Sequence, residues 1–307
     1  MSQHTVLHGD VWAGLKQIPD ESVDCAITSP PYYDQRDYGF QGQIGTEKTL
    51  DEYFAKLVTI YSLLRKKLSR KGVFYHNIGD KYSSKYGNTS LLMIPYILTE
   101  YMKQDGWILV DTIIWHKPNH MPSGVETRFT NSYEPVFVFA REKNNYYSIY
   151  KEKNQQSNII HINLQPSKNK HVAMFPEKLV ECLIQMGIPN NATILDPFAG
   201  SGTTSLVSQK LSNNCKQNSL LDDFPIKHPE NKNQLNFRTI MIEANQEFVE
   251  ILKKRCIVDK VTCVEFERFE VNKLITIKYD NSASTDSTDF TNFKYDFVND
   301  YAVYIEP

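Results

Sequence analysis

The five cysteines, Cys25, Cys182, Cys215, Cys256 and Cys263, include no CxxC pair and are odd in number. That argues against a zinc site and a disulfide framework, and it points to a reducing, cytoplasmic setting. No run of about 18 apolar residues occurs, so no membrane span is expected. The polar opening MSQHTVLHGD does not read as a signal peptide. Neither sign of charge is in excess: the formal net charge is −2, so any surface for a polyanion has to be local. No internal repeat is present. What remains is ordinary globular composition, 41% hydrophobic and 23% charged. Its 307 residues suffice for one large α/β domain, or one domain with appendages.

Along the chain, strand-like and helix-like stretches alternate. Strands are expected at 5–10, 23–27, 73–80, 107–115 and 134–141. Helices are expected at 11–18, 49–68 (ended by Gly72) and 91–103. The stretch 142–170 is rich in Asn, Gln, Lys and Tyr and shows no sustained period. A helix at 176–188, a strand–turn–helix at 192–211 and another at 238–256 follow, with a polar insertion at 212–236 between them. The tail from 257 carries strand-like pieces (VTCVEF, LITIKY, YAVYIE) around a Ser/Thr/Asp-rich segment. The organisation reads as 1–141, 142–170, 171–256 with the insertion 212–236, and 257–307. Alternation of this kind argues for a parallel sheet covered by helices on both faces.

Two turns stand out. "TSPPYYDQRDYG" (28–39) ends a buried strand on Pro30-Pro31, which offer no N–H to a ladder and so make a stiff turn presenting Tyr32 and Tyr33. "DPFAGSGTT" (196–204) ends a strand at Asp196, and Gly200 and Gly202 let backbone approach a ligand in front of a helix N-terminus. No lysine follows these glycines, which excludes a P-loop, and Ser205 makes only an imperfect dinucleotide fingerprint. An adenosine-type ligand without a pyrophosphate remains. Glu243 ends the next strand, where a carboxylate can accept both hydroxyls of a ribose. A plain strand–turn–helix with a polar lip is the reading that these residues alone leave open.

Together the two turns resemble the S-adenosylmethionine-dependent DNA amino-methyltransferases, in the subgroup whose Ser/Asn/Asp-Pro-Pro-Tyr motif precedes Asp-Pro-Phe-x-Gly-Ser-Gly-Thr. Here these are Ser29-Pro30-Pro31-Tyr32 and Asp196 to Thr203, with HGDV before the first and HVAMFPEKL (171–179) before the second. The likeness covers most of residues 5–256. It implies a doubly wound, mostly parallel methyltransferase sheet in circularly permuted motif order. The N-terminal part would carry the chemistry and the C-terminal part most of the pocket for S-adenosyl-L-methionine. It also implies that Asp10 reaches the adenine amine and Glu243 the ribose. Phe198, Gly200 and Gly202 would form the pocket wall, Asp196, Ser201 and Thr203 would bind the cofactor with them, and Phe175 would close over the methionine end. Two of these residues have a plainer alternative: Asp10 as a turn cap, Phe175 as core packing.

An exocyclic base nitrogen is a poor nucleophile because its lone pair is delocalised into the ring. The Ser29 hydroxyl and the Pro30 carbonyl are rigid acceptors able to hold its hydrogens out of plane, while Tyr32 stacks on the base. Carbon methylation needs a cysteine, which the known enzymes carry after a proline, and no cysteine here follows one. The base has to leave the duplex to be reached. In the family, Ser at the first motif position goes with cytosine N4 and Asp with adenine N6. The expectation is therefore cytosine N4, with adenine N6 and an inactive DNA-binding relative as alternatives. Protein glutamine methyltransferases carry the two motifs in the opposite order. An NAD-linked oxidoreductase leaves the Pro-Pro-Tyr turn unexplained.

Residues 141–170 carry net +4 and 271–307 net −3. The expectation is that 142–170 faces double-stranded DNA and supplies target recognition, with Lys151, Lys153, Lys168 and Lys170 at phosphates, and the acidic tail turned away. Arg36, Lys117 and Arg128 are further candidates for phosphate contact, Arg36 alternatively pairing with Asp37. His116 and His120 are separated by Pro118, which argues against a metal site. The resemblance suggests a cognate restriction endonuclease as a functional partner. It leaves monomer or homodimer open.

Overall fold

The computed structural model describes residues 4–36, 42–83, 90–122, 124–154, 157–165, 176–214 and 235–264. Lys168, Lys170, Phe175, Asp37, most of the insertion and the tail beyond Val264 lie outside the described residues. The elements are β1 (His4–His8), α1 (Val11–Lys16), β2 (Val23–Thr28), α2 (Leu50–Lys67), β3 (Leu68–Asn77) and α3 (Ile94–Gln104). Then come β4 (Ile108–His116), β5 (Tyr133–Ala140), α4 (Tyr146–Lys153), β6 (Ile159–His161) and α5 (Glu177–Gln185). The chain continues through β7 (Thr193–Asp196), α6 (Thr203–Asn214), β8 (Arg238–Glu243), α7 (Gln246–Arg255) and β9 (Lys260–Cys263).

The strands form one sheet in the order β6-β4-β5-β3-β2-β7-β8-β1-β9. Every pairing is parallel except the two made by β5. The loop after β4 returns the chain at the same edge of the sheet, so β5 must run antiparallel. α1, α2 and α3 cover one face through Leu15, Tyr53, Leu57, Tyr61, Leu64 and Leu98. α4, α5 and α6 cover the other through Tyr147, Tyr150, Leu183 and Val207, and α7 covers its far end through Val249 and Leu252. Covered on both sides, the central strands are mostly buried, β7 at all four residues. No helix among the described residues is long and apolar enough to cross a membrane.

α2 shows why the sequence signals held. Thr49 caps it by accepting from the Glu52 N–H at 3.2 Å, and Glu52 reaches back to the Lys48 N–H at 3.0 Å. Its acidic first turn and basic last turn (Arg65, Lys66, Lys67) both complement the helix dipole. One expectation fails here: Gly72 does not end this helix, which runs straight into β3. Gly72 sits inside β3, where the β2 register shifts between Val23 and Cys25. A Cβ there would lie 3.0 Å from the Ser69 carbonyl and 3.1 Å from that of Val23, so the irregular pairing needs glycine.

The stretch 142–170, read as aperiodic, contains α4 and β6. α4 is short and buries only Tyr147 and Tyr150, too few apolar positions to show a period. It is fixed instead by the Asn145 cap, which accepts from the Ser148 N–H at 2.9 Å, and by the Tyr147 hydroxyl, which donates to Asp111 at 2.7 Å. β5 ends at the sheet edge opposite Ser29, so α4 begins there, and Lys151 and Lys153 stand in its last turn. β6 then pairs with the end of β4 and brings His161 beside His116.

Candidate active site

Four parallel neighbours, β2, β7, β8 and β1, end along one edge of the sheet. From β2 the chain proceeds to β3 on one side, and from β7 to β8 on the other. The crevice between β2 and β7 is therefore the topological switch point at which α/β sheets take their ligands. Into it come the turn after β2 (Ser29 to Tyr32) and the turn after β7 (Asp196 to Gly202); Glu243 at the end of β8 joins the second turn through the Gly200 N–H, and Asp10 follows β1 at the same edge of the sheet. The structure brings both motifs to one place.

A buried carboxylate joins them. Asp196 accepts from the Thr28 hydroxyl at 2.8 Å and the Phe198 N–H at 3.1 Å through one oxygen, and from the Thr204 hydroxyl at 2.7 Å through the other. Burial pushes its carboxyl up to about 6 against these bonds, which favour the ionised form. Asp196, expected to bind the cofactor, also braces the two turns against each other. Thr28 is half of that brace, and the sequence reading gave it no role.

The glycine turn divides its work. Gly200 has φ +52° with nothing within 4 Å of where a Cβ would stand, so it borders open space. Its N–H donates to Glu243 at 2.7 Å, and the other Glu243 oxygen accepts from the Asn245 N–H at 2.8 Å. Burial raises the Glu243 carboxyl to about 7. Gly202, expected to admit a ligand, also admits α7: a Cβ would lie 2.7 Å from Leu252 Cγ. Ser201 is buried, and its hydroxyl accepts from the Arg255 guanidinium at 2.5 Å. Thr203 is buried at the start of α6, while Phe198 is partly buried against the α1–α3 face. Asp10 caps α1, accepting from the Trp12 and Ala13 N–H groups at 2.9 and 3.0 Å. The open space beside Gly200, the Glu243 carboxylate and the Phe198 ring fit an adenosine-bearing ligand.

On the other side of the crevice the Pro-Pro-Tyr turn is braced from below. The Tyr53 hydroxyl on α2 donates to the Pro31 carbonyl at 2.9 Å. Tyr32 is half-buried, with its hydroxyl turned inward: it accepts from Ser29 at 3.0 Å and faces Glu134 at 3.1 Å and Asn77 at 3.3 Å. Burial, and next the charge of Glu134, hold its phenol well above the ordinary tyrosine range, so it stays protonated. Gly79 lies flat against the ring, where a Cβ would meet Cε2 at 2.8 Å. Asn77, Gly79 and Glu134 were not found from the sequence, since each comes from a strand end distant from the motif.

Of the residues expected at phosphates, Lys117 is largely covered. Its side chain is only 13% exposed, ion-paired with Glu134, and lies over the Trp115 ring at 4.5 Å. Arg128 stacks its guanidinium 3.6 Å over Tyr82, and Arg36 is exposed. His116 faces His161, with the Nδ1 atoms 2.8 Å apart, and His120 turns its Nδ1 to the Lys117 carbonyl at 3.1 Å. No group of three or more potential metal ligands occurs among the described residues.

The same fold appears in solved structures. The PvuII DNA methyltransferase (cytosine-N4-specific) superimposes with a TM-score of 0.63 at 20% identity, over 85% of this chain and 95% of that one. A DNA modification methylase from Thermus thermophilus, described as putative and complexed with S-adenosyl-L-methionine, gives 0.58 at 18% identity, over 85% of this chain and 100% of that one. In sequence, the type II methyltransferase M.MwoI of Methanothermobacter wolfeii is 45% identical over 256 residues, 83% of this chain. The aligned part is 35% of that relative's length, so the chain spans about a third of it. A family model described as DNA methylase matches residues 23–254, taking in both turns, the brace between them and Glu243. The chain belongs to this S-adenosylmethionine-dependent DNA methylase family.

Proposed function

We propose that the protein methylates the exocyclic N4 amine of cytosine within a specific sequence of double-stranded DNA, as the modification partner of a restriction endonuclease. The observation that carries this reading is the Ser29–Tyr32 turn, held by Thr28–Asp196 beside the open space at Gly200. When bound, S-adenosylmethionine supplies a methyl group on a sulfonium. Glu243 would hold its ribose, Asp10 its adenine amine, and Phe198 the wall of its seat. Ser29 and the Pro30 carbonyl accept the hydrogens of a flipped base's amine and direct its lone pair at the methyl carbon. The rigid Pro-Pro turn fixes these acceptors without reorganisation during the reaction. Serine at the first motif position, the missing Pro-Cys nucleophile and the likeness to a cytosine-N4 enzyme support N4. Incubating defined duplexes with labelled cofactor and analysing the nucleosides is expected to yield N4-methylcytosine. Recovery of N6-methyladenine alone would overturn the choice of base.

Cofactor binding should also depend on pH. Burial, and to a lesser degree the charge of Asp196, raise the Glu243 carboxyl, and ribose hydroxyls donating to it would favour the ionised carboxylate. Affinity should strengthen as pH rises through about 7, with a proton released on binding below that point. The free protein should behave oppositely. Asp196 and Glu243 both ionise less readily folded than unfolded, so their stabilising contribution is full below about pH 4. It is lost as pH rises through about 6 and 7. Calorimetry at pH 6.5 in two buffers of different ionisation enthalpy measures the proton. A buffer-independent heat would remove Glu243 from the ribose.

A further inference from the structure

The hydrogen bonds beneath the Pro-Pro-Tyr turn have a direction, and its origin is a residue outside both motifs. Glu134, at the start of β5, faces the Tyr32 hydroxyl with one carboxylate oxygen and pairs with Lys117 through the other. Asn77 presents its carbonyl oxygen to the same hydroxyl, because its amide nitrogen donates to the Pro135 carbonyl at 3.2 Å. A carboxylate and an amide oxygen only accept. The single phenolic hydrogen of Tyr32 is therefore spent on that side, and in the Ser29–Tyr32 contact serine must be the donor. With its own hydrogen committed, Ser29 Oγ offers only lone pairs to whatever lies in the crevice.

We propose that Glu134, backed by Lys117, is a positioning residue for amine methylation: it sets the Ser29–Tyr32 hydroxyls so that Ser29 acts solely as an acceptor, and it receives the proton that the methylated amine gives up. This rests on the amino-methylation reading above. As the amine attacks, positive charge develops on its nitrogen, and the chain of hydroxyls facing it ends in a negative charge. The N–H bond then breaks with its electron pair returning to nitrogen. That proton passes to Ser29 Oγ, the serine hydrogen passes to Tyr32 Oη, and the tyrosine hydrogen passes to Glu134. Every oxygen regains its starting number of bonds except the carboxylate, which ends protonated. Glu134 is 17% exposed, so it can return the proton to water. Gly79 lets this chain pack: a Cβ there would strike the Tyr32 ring and approach Glu134 within 3.5 Å.

The test is Glu134→Gln, which keeps shape and removes the charge. Single-turnover methyl transfer to duplex DNA is expected to fall about tenfold to hundredfold, in the range of one electrostatic or proton-accepting group. Dissociation constants for S-adenosylmethionine and DNA, and the melting temperature, should stay near wild type. In the free protein, the ¹³Cζ resonance of Tyr32, assigned with Tyr32→Phe, should shift in Glu134→Gln, since its acceptor has changed. Turnover within twofold of wild type, or an unmoved Tyr32 resonance, overturns the proposal. So does a loss of turnover matched by loss of cofactor affinity or of fold, which would make Glu134 merely structural. If wild type itself methylates no DNA amine, the underlying reading fails instead.

Discussion

Gly200→Val is expected to leave no measurable S-adenosylmethionine binding in a protein that still folds. Gly200 sits at φ +52°, where a residue with a Cβ is strained by roughly 1–2 kcal/mol and a β-branched one by more. That strain is tolerable in a domain of this size. The loss of binding has a different source: the valine methyls would stand in the open space where the cofactor is proposed to lie. They would also disturb the Gly200 N–H that holds Glu243. Gly202→Val makes the contrasting case. Its Cβ would be driven into Leu252, so it should lower the melting temperature before it affects any ligand. Calorimetry and a thermal melt on the two variants separate these outcomes. Near-normal cofactor affinity in a folded Gly200→Val protein would displace the proposed seat.

Ser29→Ala and Tyr32→Ala are expected to lower turnover by about 10²-fold to 10³-fold, the scale of removing one preorganised polar group from a reacting centre. Cofactor affinity should change little, because neither side chain belongs to the Gly200–Glu243 side of the crevice. Tyr32→Ala carries a double loss: the ring proposed to stack on the base, and the hydroxyl linking Ser29 to Asn77 and Glu134. Labelled-methyl transfer under single-turnover conditions, beside a cofactor titration, distinguishes loss of chemistry from loss of binding. Full turnover by Tyr32→Ala on duplex DNA would end the stacking role.

The two turns were legible because each is a continuous run whose residue types have few other uses. Prolines stop a strand, and paired glycines after an acidic strand end open a backbone. Helices with caps and a full apolar stripe, such as α2, were legible for the same local reason. What stayed hidden depends on register between distant strands. Lys117 reads as an ordinary surface cation until β4 and β5 pair and set it against Glu134. Gly202 looks like part of a ligand loop until α7 is seen pressing on it. The bracing role of Asp196 is invisible until Thr28, far away in the chain, is found on the same oxygen as the Phe198 N–H. α4 escaped because two tyrosines cannot announce a period.

The position of β1 has a consequence for how the molecule comes into being. β1 is made before every other described strand, yet both its neighbours, β8 and β9, are the last of the described strands to be made. The His4 ring meets the Thr239 hydroxyl across 235 positions. Closing a loop of that length costs on the order of 5 kcal/mol of chain entropy, recovered only when the late strands dock. Such a topology folds slowly and from its local parts first. A nascent chain on the ribosome therefore possesses the Pro-Pro-Tyr turn well before it possesses Glu243 and the glycine turn. The half that carries the Pro-Pro-Tyr turn exists for a time without the proposed seat of the methyl donor, which is completed only once β7 and β8 have been made.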